Sequence, residues 1–175
     1  ISCGSCSACA YQVHGFSEYH AMQRENCIRC GVCASLCPTG ALELCGREMT
    51  RDEIMREIAR DKAFYTKGGG VTFSGGEPFA QAAGFAKLAG LLKAQGYEVA
   101  SYSGYTFEDL LDGSEDQKHL LESIDILIDG PFLQAQKSLE IAFRGSRNQR
   151  ILDVKKSLAA GKAVETTSKR WLGEY

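Results

Sequence analysis

Gly69-Gly70-Val71-Thr72-Phe73-Ser74-Gly75-Gly76-Glu77-Pro78 is the stretch on which the fold turns. Val71 to Ser74 lie between Gly68-Gly69-Gly70 and Gly75-Gly76, which reads as a short buried strand cut off at both ends. Pro78 then presets the backbone for the first turn of a helix. Upstream, Thr50-Arg51-Asp52-Glu53 is a capping box ahead of Ile54, Met55, Ile58 and Ala59 at helical spacing, and that helix is expected to end near Asp61. Downstream, Phe79 to Gln95 predicts a helix with Phe85, Leu88, Leu91 and Leu92 on one face and Gly96 as its stop. Tyr97 to Tyr102 predicts a strand, Ser103-Gly104 a turn, and Thr106 the start of a third helix. Ile124 to Asp129 is a further strand closed by Gly130-Pro131, and Ile151 to Val154 a last one after an irregular polar stretch. The alternation predicts an α/β fold with a parallel sheet of βα units, open or part of a barrel. In such sheets ligands sit at the C-terminal strand ends, where Ser74, Gly75, Gly76, Glu77, Ser103, Gly104, Asp129 and Gly130 all fall.

The chain has 175 residues, 44% of them apolar, and a formal net charge of −2, so no basic excess points to a nucleic-acid partner. No stretch is apolar over the length of a bilayer span and the first residues lack a signal-peptide pattern, which predicts no membrane segment and a cytoplasmic location. All eight cysteines precede Gly46. Such local crowding speaks for metal binding rather than a disulfide scaffold. Residues 1–46 are therefore expected to form a small cluster-binding module, and 47–175 the α/β part.

Cys27-x-x-Cys30-x-x-Cys33-x-x-x-Cys37-Pro38 is a ferredoxin run, in which three thiolates hold one 4Fe-4S cube and the fourth reaches a second. A structural zinc site is the rival, but it needs no third cysteine at the same short spacing followed by Cys-Pro. Cys3-Gly4-Ser5-Cys6 matches Cys30-Gly31-Val32-Cys33, which makes Cys9 the fourth ligand of an earlier run and puts its first cysteine directly before Ile1. On this pairing Cys27, Cys30, Cys33 and Cys9 complete one cluster, and Cys3, Cys6 and Cys37 are one ligand short for the other. Cys45 is expected to be a buried thiol of the module. His14 and His20 are expected to be surface groups or supports beside the thiolates, and His119 carries no motif.

The Gly69 to Pro78 phrase resembles the signature of radical S-adenosylmethionine enzymes that activate glycyl-radical enzymes. Cys37-Pro38-Thr39-Gly40-Ala41-Leu42, Tyr102-Ser103-Gly104-Tyr105-Thr106 and Asp125-Ile126-Leu127-Ile128-Asp129-Gly130-Pro131-Phe132 agree with it. The last two, with Phe143 to Arg150, look most like activators of anaerobic ribonucleotide reductase; the cysteine insert resembles the larger pyruvate formate-lyase-type activators. The resemblance implies a partial (βα) barrel lacking its first strand, with a two-cluster ferredoxin-like insert. It implies S-adenosylmethionine bound at the strand ends, a glycyl-radical enzyme as partner, and an electron donor such as flavodoxin or ferredoxin. By resemblance, Glu77 and the backbone around Gly75 and Gly76 face the methionine ammonium. Ser103 and Gly104 either line the adenosine side or form a plain turn. Asp129 helps place the ligand or a cation. Arg144, Asn148 and Gln149 either touch ligand or partner or belong to a solvated turn.

One departure bears on activity. The family's catalytic Cys-x-x-x-Cys-x-x-Cys is absent: Cys33 and Cys37 have the first spacing, but Gly40 stands where the third cysteine belongs. With Ile rather than Met at the start, the reading is an N-terminally truncated activating enzyme with two auxiliary clusters, its catalytic cluster missing, and no activity alone. A non-catalytic iron–sulfur electron-transfer protein is the alternative, and a zinc-stapled α/β interaction domain a third.

Overall fold

The computed structural model describes residues 3–17, 19–65 and 69–174, and Ile1 and Gly68 lie outside them. The chain divides into two units, Ile1–Met49 and Thr50–Tyr175.

In the first unit, Gly4 and Gly31 both take left-handed conformations ahead of tight helical turns, Ser5–Ala8 and α1 (Val32–Ser35). This matches the two Cys-Gly-x-Cys segments, since only glycine adopts that φ without strain. Between them β1 (His14–Phe16) and β2 (His20–Met22) pair antiparallel, with Phe16 opposite His20. Val13 and His14 are the buried residues of this unit among those described. So small an apolar core leaves thiol chemistry to hold the module together. Cys45, expected buried, is exposed. It lies in the segment after Leu42, where the described residues form no helix or strand that would cover it.

In the second unit Thr50 caps α2 (Arg51–Arg60) in a reciprocal box, the Glu53 N–H donating to Thr50 Oγ1 and the Thr50 N–H to Glu53 Oε2. β3 (Gly70–Phe73), β4 (Glu98–Tyr102), β5 (Ile126–Asp129) and β6 (Arg150–Asp153) form one sheet in that order. β3, β4 and β5 are parallel, as expected. β6 is antiparallel to β5, against the expectation of a wholly parallel sheet. A parallel return needs a crossover element. Among the described residues 131–149 offer only a single helical turn, Gln134–Gln136, so the chain doubles back. The sheet is mixed.

α3 (Ala82–Ala94) follows a tight turn at Pro78–Gln81 and buries Ala82, Ala86, Ala89 and Leu92, with Phe85 and Leu88 partly buried beside them. Small side chains on that face let α3 approach α5 (Glu115–Ser123), and α4 (Phe107–Leu111) and α6 (Val154–Ala160) complete the layer. Where the sequence predicts one helix between β4 and β5, opened at Thr106, the structure has two, α4 and α5, and it adds α6 after β6. On the other face Ala100, Ile126, Ile128 and Ile151 pack with Trp171 of α7 (Lys169–Leu172). Gly70 is obligatory in β3: a Cβ there would lie 1.9 Å from the Glu98 carbonyl oxygen.

Candidate functional site

The thiols of the first unit divide between two cavities. One, of about 220 Å³, is lined by Cys3, Cys6, Cys37, His20, Phe16 and Thr39, among others. The other is lined by Cys9, Cys27, Cys30 and Cys33 together with His14 and Tyr11. It is narrower, about 20 Å³, so a cube entering it must spread the four thiols. All eight cysteines are free thiols. The division is that of the interleaved pairing: Cys9 lies with the Cys27 to Cys33 turn, and Cys37 with Cys3 and Cys6. Soft thiolates in sets of three and four fit iron–sulfur ligation.

The thiols are not equivalent. The Thr39 hydroxyl, 3.6 Å from Cys37 Sγ, and after it backbone amides hold the Cys37 thiol down to about 7. The Ser5 hydroxyl lowers Cys3 likewise, while desolvation pushes Cys6 up. His20 Nε2 lies 3.9 Å from Cys6 Sγ and 2.9 Å from His14 Nδ1. One ring nitrogen from each histidine and the Cys6 sulfur fall within 4.8 Å of one another. Burial, and then the neighbouring His20, lowers the His14 pKa.

In the second unit the turns after β3 and β4 meet. Gly75 and Gly76 have φ of 83° and 63°, a conformation that swings Glu77 back across the strand ends. Glu77 Oε1 accepts from the Phe79 N–H and the Ser103 hydroxyl, each at 3.0 Å, and Oε2 accepts from the Gly104 N–H at 2.7 Å. A carboxylate has about four acceptor sites, so roughly one remains for a cation such as an ammonium. Gly76, Glu77, Tyr102, Ser103, Gly104, Gly130, Phe132 and Gln149 line one open cavity of about 240 Å³. A Cβ at Gly104 would sit 3.4 Å from Glu77 Oε2, in ordinary van der Waals contact.

Ser74, Gly75 and Asp129 are not in that lining. Asp129 is fully buried, and its carboxylate accepts from the Phe107 N–H at the start of α4 and from Arg150 Nε and Nη2. It anchors the end of β5. Asn148 and Gln149 are loop staples: Asn148 Nδ2 donates to the Pro131 carbonyl, Gln149 Nε2 to the Gly130 carbonyl, and Gln149 Oε1 accepts from Gly145 and Ser146 N–H. Gln149 also faces the cavity. Arg144 reaches the Gln149 carbonyl only at 3.5 Å. Phe132, Tyr102 and Arg150 were missed as site or anchoring residues. The Asp129–Arg150 pair is a β5–β6 register pair that becomes visible only once β6 is antiparallel.

A cysteine module whose free thiols divide between two cavities, beside a mixed α/β unit, defines an iron–sulfur protein. The chain belongs to the 4Fe-4S single cluster domain family, whose model matches residues 2–152. It is 38% identical over 74 residues to the pyruvate formate-lyase 2-activating enzyme of Escherichia coli K12, covering 39% of this chain and 25% of that one. It is 36% identical over 77 residues to the 4-hydroxyphenylacetate decarboxylase activating enzyme of Clostridium scatologenes, covering 41% and 25%. It is 35% identical over 77 residues to an isethionate sulfite-lyase activating enzyme of Desulfovibrio desulfuricans, again covering 41% and 25%. The matches thus span about a quarter of the length of these relatives. The resemblance to glycyl-radical-enzyme activators drawn from the sequence agrees with them. Among the described residues no helix is long and apolar enough to cross a membrane.

Proposed function

We propose that these residues are the cofactor-pocket and auxiliary-cluster part of a radical S-adenosylmethionine enzyme that installs a glycyl radical on a partner enzyme. The sheet is then a partial (βα) barrel; in its described residues β3 pairs with β4 alone, leaving its other edge open for a further strand. The observation that carries the reading is Glu77, which lines the cavity, is tied to Ser103 and Gly104, and has about one acceptor site left over. In this reading Glu77 holds the ligand's ammonium, Gly76 and Gly104 keep the strand ends bare for it, and Ser103 fixes the carboxylate's orientation. Bound S-adenosylmethionine supplies, on one-electron reduction, the hydrogen-abstracting chemistry. Cys9, Cys27, Cys30 and Cys33 would hold one 4Fe-4S cluster, and Cys3, Cys6 and Cys37 three corners of another. Electrons come from a small donor such as flavodoxin or ferredoxin.

Two measurements test this. Anaerobically reconstituted chain is expected to contain iron and labile sulfide in equal amounts, whereas stoichiometric zinc without sulfide would refute the cluster assignment. Saturation-transfer NMR is expected to detect S-adenosylmethionine on the parent and to lose it in Glu77→Ala. The second reading, an electron-transfer protein, rests on the absence of a Cys-x-x-x-Cys-x-x-Cys in these residues. Clusters without any S-adenosylmethionine binding would select it.

A further inference from the structure

The two thiol cavities are joined by a pair of imidazoles. His20 lines the Cys3, Cys6 and Cys37 cavity, and His14 lines the Cys9, Cys27, Cys30 and Cys33 cavity. They sit diagonally on the β1–β2 hairpin, with His20 also against the Phe16 ring, 5.0 Å between centroids. Their own centroids are 5.1 Å apart with planes 17° from parallel, and His14 Nδ1 is 2.9 Å from His20 Nε2. The centroid separation exceeds the nitrogen separation by about one ring width. The rings therefore lie edge to edge, nearly coplanar, in an N–H···N hydrogen bond rather than face to face.

The other nitrogen of His14, Nε2, is buried without a hydrogen-bond partner in a residue only 7% exposed. Such a group costs about 1–3 kcal/mol unless something satisfies it. His14 lines the cavity of Cys9, Cys27, Cys30 and Cys33 together with Tyr11, Val13, Ile28 and Gly31, and once the four thiols hold a cluster their sulfurs are acceptors only. A nitrogen directed at acceptors must carry the proton. Then His14 Nδ1 has none, and the proton of the shared bond belongs to His20 Nε2, with Cys6 Sγ 3.9 Å away from it.

We infer that His14 donates an Nε2–H hydrogen bond to a sulfur of the cluster held by Cys9, Cys27, Cys30 and Cys33, and that His20 fixes the tautomer and links this donor to the second cavity. The inference rests on the cluster reading above. A donor to cluster sulfur stabilises the reduced form, in which sulfur is more negative, and so raises the reduction potential. One electron taken from dithionite reduces the cluster, and no proton or bond is otherwise transferred. His14 is a positioning and tuning residue, not a ligand.

The test uses the full chain, reconstituted anaerobically, with iron and sulfide measured first. Absence of sulfide would overturn the cluster reading itself, independently of His14. With clusters present, dithionite-reduced protein grown on ¹⁵N-histidine is expected to show a weak nitrogen hyperfine coupling at the four-cysteine cluster. In an EPR-monitored titration His14→Phe, apolar and of similar size, is expected to move that cluster's midpoint to more negative potential, and His14→Gln, which keeps an N–H donor, to restore part of the shift. A strong coupling, as from a nitrogen bonded to the metal, would overturn the inference by making the histidine a ligand rather than a hydrogen-bond donor. No coupling at all in the parent would overturn it even if His14→Phe fails to take up iron. So would an unchanged midpoint in an iron-replete His14→Phe.

Discussion

Replacing Arg150 by Met is expected to destabilise the α/β unit by about 3–5 kcal/mol, because it strips a buried carboxylate of its counter-ion. The Asp129 side chain is 1% exposed, and apart from Arg150 its described donor is the Phe107 N–H. Arg150 contacts it through two nitrogens and spends its remaining fork on Glu108, whose side chain is half exposed. The Glu108 contact is screened by solvent and contributes at most about 1 kcal/mol. The Asp129 contact therefore dominates. A loss of this size, set against a total stability of about 5–15 kcal/mol, lowers the melting point by on the order of 10 °C.

Urea unfolding followed by Trp171 fluorescence measures this directly. Trp171 is the sole tryptophan, buried against Phe143 with its Nε1–H donating to Glu98, so its emission reports the sheet unit. The ordering of variants carries the argument. Asp129→Asn keeps an acceptor for the Phe107 N–H while removing the charge, so the double variant Asp129→Asn/Arg150→Met is expected to be more stable than Arg150→Met alone. A single variant within about 1 kcal/mol of the parent, or a double variant showing the simple sum of the two single losses, would refute the buried-pair account.

Four further outcomes are expected. Gly76→Val, which forces a β-branched residue to φ of 63°, is expected to cost about 1–2 kcal/mol of stability and to abolish S-adenosylmethionine binding while iron content holds; unchanged binding would remove this turn from the site. Cys45→Ser is expected to leave iron and sulfide unchanged, whereas Cys27→Ser lowers both; iron lost equally from the two would show Cys45 to be a ligand. In metal-free chain, iodoacetamide is expected to alkylate Cys37 with a midpoint near pH 7, since its lowered pKa makes thiolate as pH rises through that value, and Cys6 only at higher pH than an ordinary thiol because burial raises it; Thr39→Val should move the Cys37 midpoint upward, and a single common midpoint would contradict the Thr39 contact. Finally, reduced and reconstituted chain with S-adenosylmethionine is expected to form no detectable 5′-deoxyadenosine, because these residues hold no Cys-x-x-x-Cys-x-x-Cys. Turnover would mean that one of the two thiol cavities is the reactive centre.

What could be read from the residues alone followed the range of the interactions. The Thr50 capping box, the helix start at Thr106, the β3 strand and the glycine turn after it were legible because their causes lie within a few residues. The two tight turns of the cysteine module have a local cause as well: the Cys-Gly-x-Cys segments repeat, and each repeat builds the same left-handed glycine ahead of a turn. The direction of β6 was not legible, because what reverses the chain is the unpatterned loop 131–149, pinned by Asn148 and Gln149 through contacts 17 and 19 residues distant. Asp129 shows the consequence. A carboxylate at a strand end reads as a ligand group until the partner strand's direction is known, and that direction is what brings Arg150 onto it.

The histidines mark the same boundary from the other side. Amid seven thiols in ligand spacing, His14 and His20 carry no spacing signal of their own, and their weight comes from a cross-strand diagonal that a three-residue hairpin creates. Sequence periodicity could announce that hairpin only weakly, since β1 and β2 are each three residues long and mostly exposed. Yet the hairpin is what separates the thiol sets: it places one imidazole at each cavity and joins the two rings by a hydrogen bond. A module whose described apolar core is Val13 has little else to set the spacing between its cavities. The imidazole pair is therefore as much a structural spacer as an electronic link, and the two roles separate in experiment, because Phe at position 14 can keep the spacing and cannot keep the proton.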